Sequence, residues 1–471
     1  MRLSPLITAL AALLALGVVG AVGQRLLQPN RPLLTEVSVS PTSITPNAGH
    51  DDITTIRYTL NRDANVTIAF TNQASGKRFV FRNVQPRPAD SFQVQFSGVV
   101  EGYTLPGETN IGDVLQRLIP DGTYTWSVDA VADSGETGTV SGTLTVASVD
   151  AALPAITDFS ISPKIFSPNQ DGVDDRVSIN VYLAKKSTLT VYLQSKDNQR
   201  YYISERDEGR LPGDPGAHVF DYDGGVDNNI TPPPNGDYTV IATAEDSVGQ
   251  RVQRTGTVTI TQGGLPNAEL KAQTTGGTVA WATAPYKLSY LTNGTTQGDL
   301  LARPEGVTSS LATISMPLSD LLIFRVSVSN YGSTPLRTVG PWPGTVYEFD
   351  QTAAAMNAEG VSGAWRVGLE CERSETTLPW RWAIGSPDQL TKVDHDGQTF
   401  WYLPPGQQAV VWGAIHMTQL TKTRNPQECW AALIHEDVAI PPLQSHVGAI
   451  QVLLETTTST IPTNVPATPA P

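Results

Sequence analysis

The sequence predicts an all-β protein: two tandem β-sandwiches, a larger C-terminal β-sandwich domain and an N-terminal hydrophobic helix. Three observations lead there. Apolar and polar residues alternate along most of the chain; Ile56, Tyr58 and Leu60, for example, are separated by Arg57 and Thr59, the period of a strand with one buried face. Glycine (40) and proline (35) are in excess and fall between the alternating runs, where they read as turns. One long segment is also repeated. Val37–Leu60 (VSVSPTSITPNAGHDDITTIRYTL) is matched by Phe159–Leu183 (FSISPKIFSPNQDGVDDRVSINVYL). Each is followed by a matching tail, Asp121-Gly122-Thr123-Tyr124-Thr125 and Asn235-Gly236-Asp237-Tyr238-Thr239. A repeat of this length is a domain, not a solenoid unit.

The first element is residues 1–30, a signal peptide or a membrane anchor. Pro5–Gly23 carries no charge over 19 residues. That is longer than the apolar core of a cleaved signal, about 7–15 residues, and close to the roughly 20 of a spanning helix. Ala21 and Gly23 before Gln24 permit cleavage, so both readings stay open, and either exports the rest of the chain. A net charge of −14 and a pI near 4.9 argue against nucleic-acid partners, which require a positive footprint.

Residues 31–149 and 150–263 are the two sandwiches. In the second, Val177, Ile179, Val181 and Leu183 face one way, and Leu189, Val191 and Leu193 repeat this after a polar turn. Pro, Asn and Asp in the repeated signature suit tight turns, because Pro fixes φ and the Asn and Asp side chains accept from nearby backbone N–H groups. Gly236 allows the turn before a strand, and Tyr238 is placed to anchor the strand start as a tyrosine corner does. The functional alternative is a metal. Asn169, Asp171, Asp174 and Asp175 offer oxygen ligands to Ca²⁺, although their spacing is not that of an EF-hand. Helical periodicity is confined to Ile111–Leu118, inside an insertion around Ser97–Leu118 that only the first copy carries.

Three ordered motifs of the second copy, Phe166-Ser167-Pro168-Asn169-Gln170-Asp171-Gly172-Val173-Asp174-Asp175, Phe220-Asp221-Tyr222-Asp223-Gly224 and Pro234-Asn235-Gly236-Asp237-Tyr238-Thr239, carry a family likeness. They resemble the Ig-like domain of flagellar hook-capping proteins, relatives of which recur in bacterial surface proteins. The resemblance covers Ile156–Gln262 and implies an Ig-like sandwich. The first copy keeps Ile44-Thr45-Pro46-Asn47 and Asp51-Asp52 but lacks the aspartate near Ala48.

Thr261–Pro266 reads as a turn-rich linker, and residues 264–455 form a third domain holding seven of the nine tryptophans between Trp342 and Trp430. Trp365, Val367, Leu369 and Cys371 share one face of a strand, and Cys429, Ala431 and Leu433 share one face of another. The chain's two cysteines, Cys371 and Cys429, are expected to form a disulfide in an exported protein. Closing a loop of this length stabilises the fold by roughly 4 kcal/mol in chain-entropy terms. Val328-Ser329-Asn330-Tyr331-Gly332-Ser333 and Leu403-Pro404-Pro405-Gly406-Gln407 resemble turns of the tryptophan-rich Ig-like sandwich of autophagy receptors and bacterial surface proteins. That resemblance implies a sandwich that binds something, and the chain departs from it at Leu336, where a tryptophan is usual. Trp380 and Trp382 flank Arg381 and point the same way. With Trp401 and Tyr402 they form either an aromatic platform for sugar or peptide or part of the core.

No H-E-x-x-H, nucleophile elbow or phosphate-binding loop occurs. Asp394, Asp396 and Glu370 read as turn or face residues, not as a catalytic carboxylate pair. Residues 456–471, rich in Thr and Pro, are expected to be a disordered tail. The sequence therefore predicts a non-enzymatic cell-envelope surface protein with Ig-like spacers and a distal binding domain. Its expected partners are envelope proteins or glycans, with the membrane reached through the N-terminal helix if uncleaved, and no cofactor beyond the Ca²⁺ alternative. A secreted carbohydrate-binding or carbohydrate-active protein, and a subunit of a surface filament or secretion assembly, are the other readings.

Overall fold

The computed structural model describes residues 31–456 except 48–52, 208, 210, 273–276, 294–295, 306–312, 357, 359–360, 373 and 421–423. The N-terminal run, Asp51-Asp52 and nearly all of the tail lie outside the described residues. The regular secondary structure of the described chain is almost entirely β-strand, with a few single-turn 3-10 helices, and none of its helices is long and apolar enough to cross a membrane.

The two repeats share one topology. In the first, Leu34–Ser40, Thr54–Leu60 and Ser91–Phe96 form a three-stranded sheet. It faces a sheet ordered Ser43–Ile44, Thr137–Val146, Gly122–Ala132, Ala64–Asn72, Arg78–Arg87. In the second, Ile156–Ser162, Val177–Leu183 and Gly216–Tyr222 match the first sheet. Ile165–Phe166, Arg251–Ile260, Gly236–Glu245, Thr188–Gln194 and Arg200–Ile203 match the other in the same order. The alternating residues fill the space between sheets, as expected: Ile56, Tyr58, Leu60, Val66, Ile68 and Phe70 in one core, Val177, Ile179, Val181, Leu183 and Val240 in the other. The tyrosine corners form in both copies, with Tyr124 donating to Pro120 O at 2.6 Å and Tyr238 to Pro234 O at 2.7 Å. Each corner follows a glycine at φ +155° or +151°, Gly122 and Gly236, where a Cβ would be strained.

The insertion departs from expectation. Asp113–Leu118 is a strand, not a helical turn, and with Val99–Glu101 it extends the larger sheet of the second sandwich by pairing with Arg251–Ile260. Pairing on an open sheet edge satisfies backbone groups that a lone helical turn would leave bare, so tertiary context overrides local periodicity. The boundary at residue 149 is therefore crossed by two strands of the preceding segment.

The third domain packs a five-stranded sheet, centred on Asp320–Asn330 and Gln408–His416, against an eight-stranded sheet centred on Gln427–His435 and Trp365–Cys371. Phe324, Val326, Val328, Trp365, Val367, Leu369, Trp380 and Trp382 lie in its core. Asn330 is fully buried and ties the two turn motifs together. Its amide donates to Thr334 O and Leu403 O, both at 2.9 Å, and its carbonyl accepts from Gly406 N at 2.8 Å. Cys371 and Cys429 are directly opposed on neighbouring antiparallel strands and are bonded, with Cα atoms 4.0 Å apart.

Candidate functional site

The three signature motifs of the second copy meet at one end of its sandwich. The loop after Ser167 is closed by its own side chains. Asn169 Oδ1 accepts from Asp171 N (3.0 Å), Asp171 Oδ1 from Val173 N (2.8 Å), and Asp175 from Asp171 N (3.1 Å) and Gly172 N (2.6 Å). Gln170, Gly172 and Asp174 have positive φ, a conformation such bonding supports. Asp223 caps Gly225 N and Asp227 N, and Arg176 joins this motif to the first through Asp221 and Asp227. Asn235 Oδ1 accepts from Gly263 N, and Asn169 Nδ2 donates to Gln262 O. The turn chemistry thus holds the start of the linker as well as the loop.

That end of the sandwich faces the third domain. A Cβ added to Gly172 would lie 2.2 Å from Ser362 O, and one on Gly363 2.3 Å from the Asp171 carbonyl carbon, so backbone meets backbone. His435 Nε2 donates to Gln170 O at 2.7 Å, and His395 Nε2 is 3.0 Å from Asp174 Oδ2. Tyr402 lies against Asp171, and Arg337 donates to Ser362 O. Burial pushes Asp171 above the usual carboxylate range. Burial and the Asp171 carboxylate push Asp175 up to about 6, while burial pushes His435 down to about 4.

The first copy uses the same end for the same purpose. Asn47 Nδ2 donates to Ser148 O and Asp121 Oδ1 accepts from Val149 N, the counterparts of Asn169 and Asn235. Gly98 packs on Pro46 as Gly224 packs on Pro168. From Gly98 the insertion runs onto the second sandwich. There Gln250, with no exposed surface, donates to Asp150 O, Ala152 O and Asp246 Oδ2 at 2.9–3.0 Å and accepts from Leu118 N at 3.4 Å. Lys185 bridges Asp150 and Asp246, each at 2.7 Å. Asn110, in the insertion, donates to Thr157 O and accepts from Arg254.

The Ca²⁺ alternative gains no support from this geometry. The oxygens of Asn169, Asp171 and Asp175 face backbone donors, Asp174 faces His395, and among the described residues no group of three or more His, Cys, Asp or Glu side chains is placed to hold a metal.

The aromatic platform is corrected. Trp380 and Trp382 do share a face, but it is the inner one, and neither has exposed surface. Trp382 Nε1 donates to Thr345 O at 2.9 Å and its ring occupies the space left by Gly413. The outer side of this strand belongs to Arg381, whose charge pairs with Glu436 at 2.7 Å, so alternation drives both indoles inward. Trp401 is only partly buried and packs edge-on against Trp342. Tyr402 is buried at the junction. Trp342, in the Gly340-Pro341-Trp342-Pro343 turn, lines a surface cavity and had no signal beyond its turn residues.

His395 and His435 meet the same loop, and the other described histidines lie apart from it. His218 meets Glu205 in the second sandwich, His416 meets Glu348 and stacks on Tyr286, and His446 stacks on Trp430. Asp394 accepts from Thr399, and Glu370 accepts from Leu378 N, as turn and face residues do.

No protein-family model matches the chain, and no curated protein matches it. Among solved structures it is similar to a Ca²⁺-stabilized adhesin that helps an Antarctic bacterium reach out and bind ice (12% identity, 90% of this chain and 74% of that one, TM-score 0.20). It is also similar to a structure described as giving insight into host cell surface retention of a 1.5-MDa bacterial ice-binding adhesin (12% identity, 91% of this chain and 98% of that one, TM-score 0.18). A third likeness is to alpha-2-macroglobulin of E. coli (11% identity, TM-score 0.17), of which the chain, matched over 90% of its length, spans 23%. Likenesses at this level carry no argument about function.

Proposed function

We propose that this chain is a non-enzymatic protein of the cell surface in which two Ig-like sandwiches hold the third domain out, at a fixed angle, for contact with a protein or glycan. The observation that supports this is the construction of both junctions. Each is formed by the signature end of a repeat, one by sheet extension and the other by a docked loop, and a stiff spacer needs such ends. The N-terminal uncharged run supports export, and the hook-capping resemblance points to the same compartment. The signature carboxylates serve as caps in this reading and need no Ca²⁺. Protease treatment of intact cells tests the location. A surface protein loses its third domain to added protease while a cytoplasmic marker survives, and full protection of the chain in intact cells would overturn the reading.

A further inference from the structure

The strand Thr137–Val146 of the first sandwich leaves much of its outer edge bare. In the second sandwich the corresponding half-strand is taken, because Arg251 and Gln253 pair with Gln116 and Asp113 of the insertion. Thr137 and Thr139 are their counterparts, since Val146 opposes Gly122 as Ile260 opposes Gly236. Ser43–Ile44 covers only Thr145 and Val146. Among the described residues no strand pairs with the outer edge of the segment from Thr137 to Thr143. Thr145 N donates to Thr42 O at 2.9 Å and Ala147 N to Ile44 O at 3.1 Å, so the odd-numbered residues turn their backbone groups away from Gly122–Ala132. By the alternation of an antiparallel ladder, Thr137, Thr139, Ser141 and Thr143 each aim an N–H and a C=O outward.

Two other sheet edges carry devices that discourage pairing with a further strand. Arg78–Arg87 has Arg78, Arg82, Arg87 and Pro86, with two breaks in its register. Thr391–His395 carries Lys392, Asp394 and His395. The segment from Thr137 to Thr143 (TGTVSGT) has no charge, no proline and no break in register. Its outward side chains, Thr137, Thr139, Ser141 and Thr143, are exposed, and the Thr139 hydroxyl is already held by Asp129 at 2.9 Å. The backbone is therefore what this edge offers, and the second sandwich shows what such an edge accepts: an antiparallel strand.

We propose that this edge pairs with the same edge of a second molecule of the chain, antiparallel and with the two-fold axis at Val140, so that one sheet runs through both first sandwiches. The bare window is symmetric about Val140: it is bounded on one side by the turn before Thr137 and on the other by Ser43–Ile44. Pairing in this register sets Thr137 against Thr143 of the second molecule and Thr139 against Ser141, and uses every outward N–H and C=O. The side chains brought together are Thr with Thr and Thr with Ser, a favourable cross-strand combination, and no like charges are opposed. Glu136, the nearest charge along the strand, is engaged by Arg62. The two Val140 side chains, each packed against its own core, meet on the axis. The inference goes beyond the spacer reading and does not rest on it.

Sedimentation equilibrium of the full chain in a non-ionic detergent tests it. One strand pair makes a small interface, so the chain is mainly monomer at about 10 µM and half dimer at about 0.1–1 mM. Ser141→Pro removes an outward N–H and leaves the bonds to Gly122–Ala132 in place. It weakens the dimer about tenfold or more with the melting temperature unchanged. Ser141→Lys, at the same exposed position, weakens it likewise by charging the edge, and decides the matter if the proline variant melts early. Val140→Cys places two thiols across a non-hydrogen-bonded pair, within disulfide reach, and oxidation yields a covalent dimer. Val131→Cys, exposed on the neighbouring strand, does not cross-link. In the monomer the amides of Thr139 and Ser141 exchange fast. A chain that stays monomeric at about 1 mM, a dimer unaffected by both Ser141 variants, equal cross-linking at positions 140 and 131, or slow exchange of these amides in the monomer, which would mean that the chain closes its own edge, would each overturn the proposal.

Discussion

Between the first and second sandwiches the connection is made largely by backbone. Two strands of the insertion join the neighbouring sheet, and Gln250 satisfies carbonyl and N–H groups from both sides of the boundary. Between the second and third domains it is made by one loop, with two glycines where the chains touch and with Asp171, Asp174, Asp175, His395, His435, Arg337 and Tyr402 around them. Both junctions grow from the same end of the repeat. The difference shows that one sandwich end can be coupled in two ways, one mainly by strand pairing beside a single Lys185–Asp150–Asp246 ion cluster and one by a loop ringed with ionisable groups.

The sharpest way to separate the two is a steric wedge. Gly172→Val puts a branched side chain where Ser362 O stands, at a φ of +79°. It should remove about 2–4 kcal/mol of docking free energy and leave the first junction intact, seen as faster amide exchange at Asp171–Val173 with none at Leu118. The reciprocal break is Gln250→Ala. It leaves Leu118 N and Asp150 O without their Gln250 partner, while Ala152 O keeps Lys185 Nζ at 2.9 Å, at a cost of about 2–3 kcal/mol, read from the melting of the first two domains with the second junction unchanged.

Acidity should divide the junctions again. Asp175, at about 6 in the folded state against 3.8 otherwise, holds its proton more tightly when docked, so its contribution grows as pH falls from about 6 towards 4. Asp171 is raised and acts in the same direction. His435, at about 4 against 6.5, must stay neutral, so its contribution is present above 6.5 and is lost as pH falls towards 4. The opposing slopes leave a shallow dependence in the wild-type protein. His435→Gln makes the docked loop strengthen on acidification by about 1–2 kcal/mol, after allowing for partial solvation, and Asp175→Asn removes most of that rise. Amide exchange of the loop between pH 4 and 7 checks both. Tyr124→Phe and Tyr238→Phe should each cost about 1 kcal/mol in thermal denaturation, alike in the two copies. The smallest effect is expected from Ca²⁺ or a chelator: no change in the melting temperature, where a calcium site at Asn169, Asp171, Asp174 and Asp175 would raise it.

The strands were legible because alternation of Ile56-Tyr58-Leu60 or Val177-Ile179-Val181 reports directly which side is buried. The disulfide was legible because Cys371 and Cys429 each sat on the apolar side of such a strand. Alternation also showed that Trp380 and Trp382 point together, but the side they point to depends on what lies across from them, and only the fold supplies Gly413 and Thr345. Asp113–Leu118 was misread because its partner strand belongs to another domain. The docking of the signature loop was hidden for the same reason: the sequence displays Asn169 and Asp171 as turn residues, and nothing local marks Ser362-Gly363 or His435 as the surface they meet. Arg366 looked like any polar position on a strand, since its burial comes from the Val339–Trp342 segment folded over it.

The most direct test places spin labels on Ser141→Cys in the first sandwich and Thr391→Cys in the third domain, both at exposed positions, and measures their distance distribution by pulsed electron resonance. Two fixed junctions predict a single narrow distance that broadens when Gly172→Val is added. A broad distribution in the otherwise unaltered chain would contradict a rigid spacer.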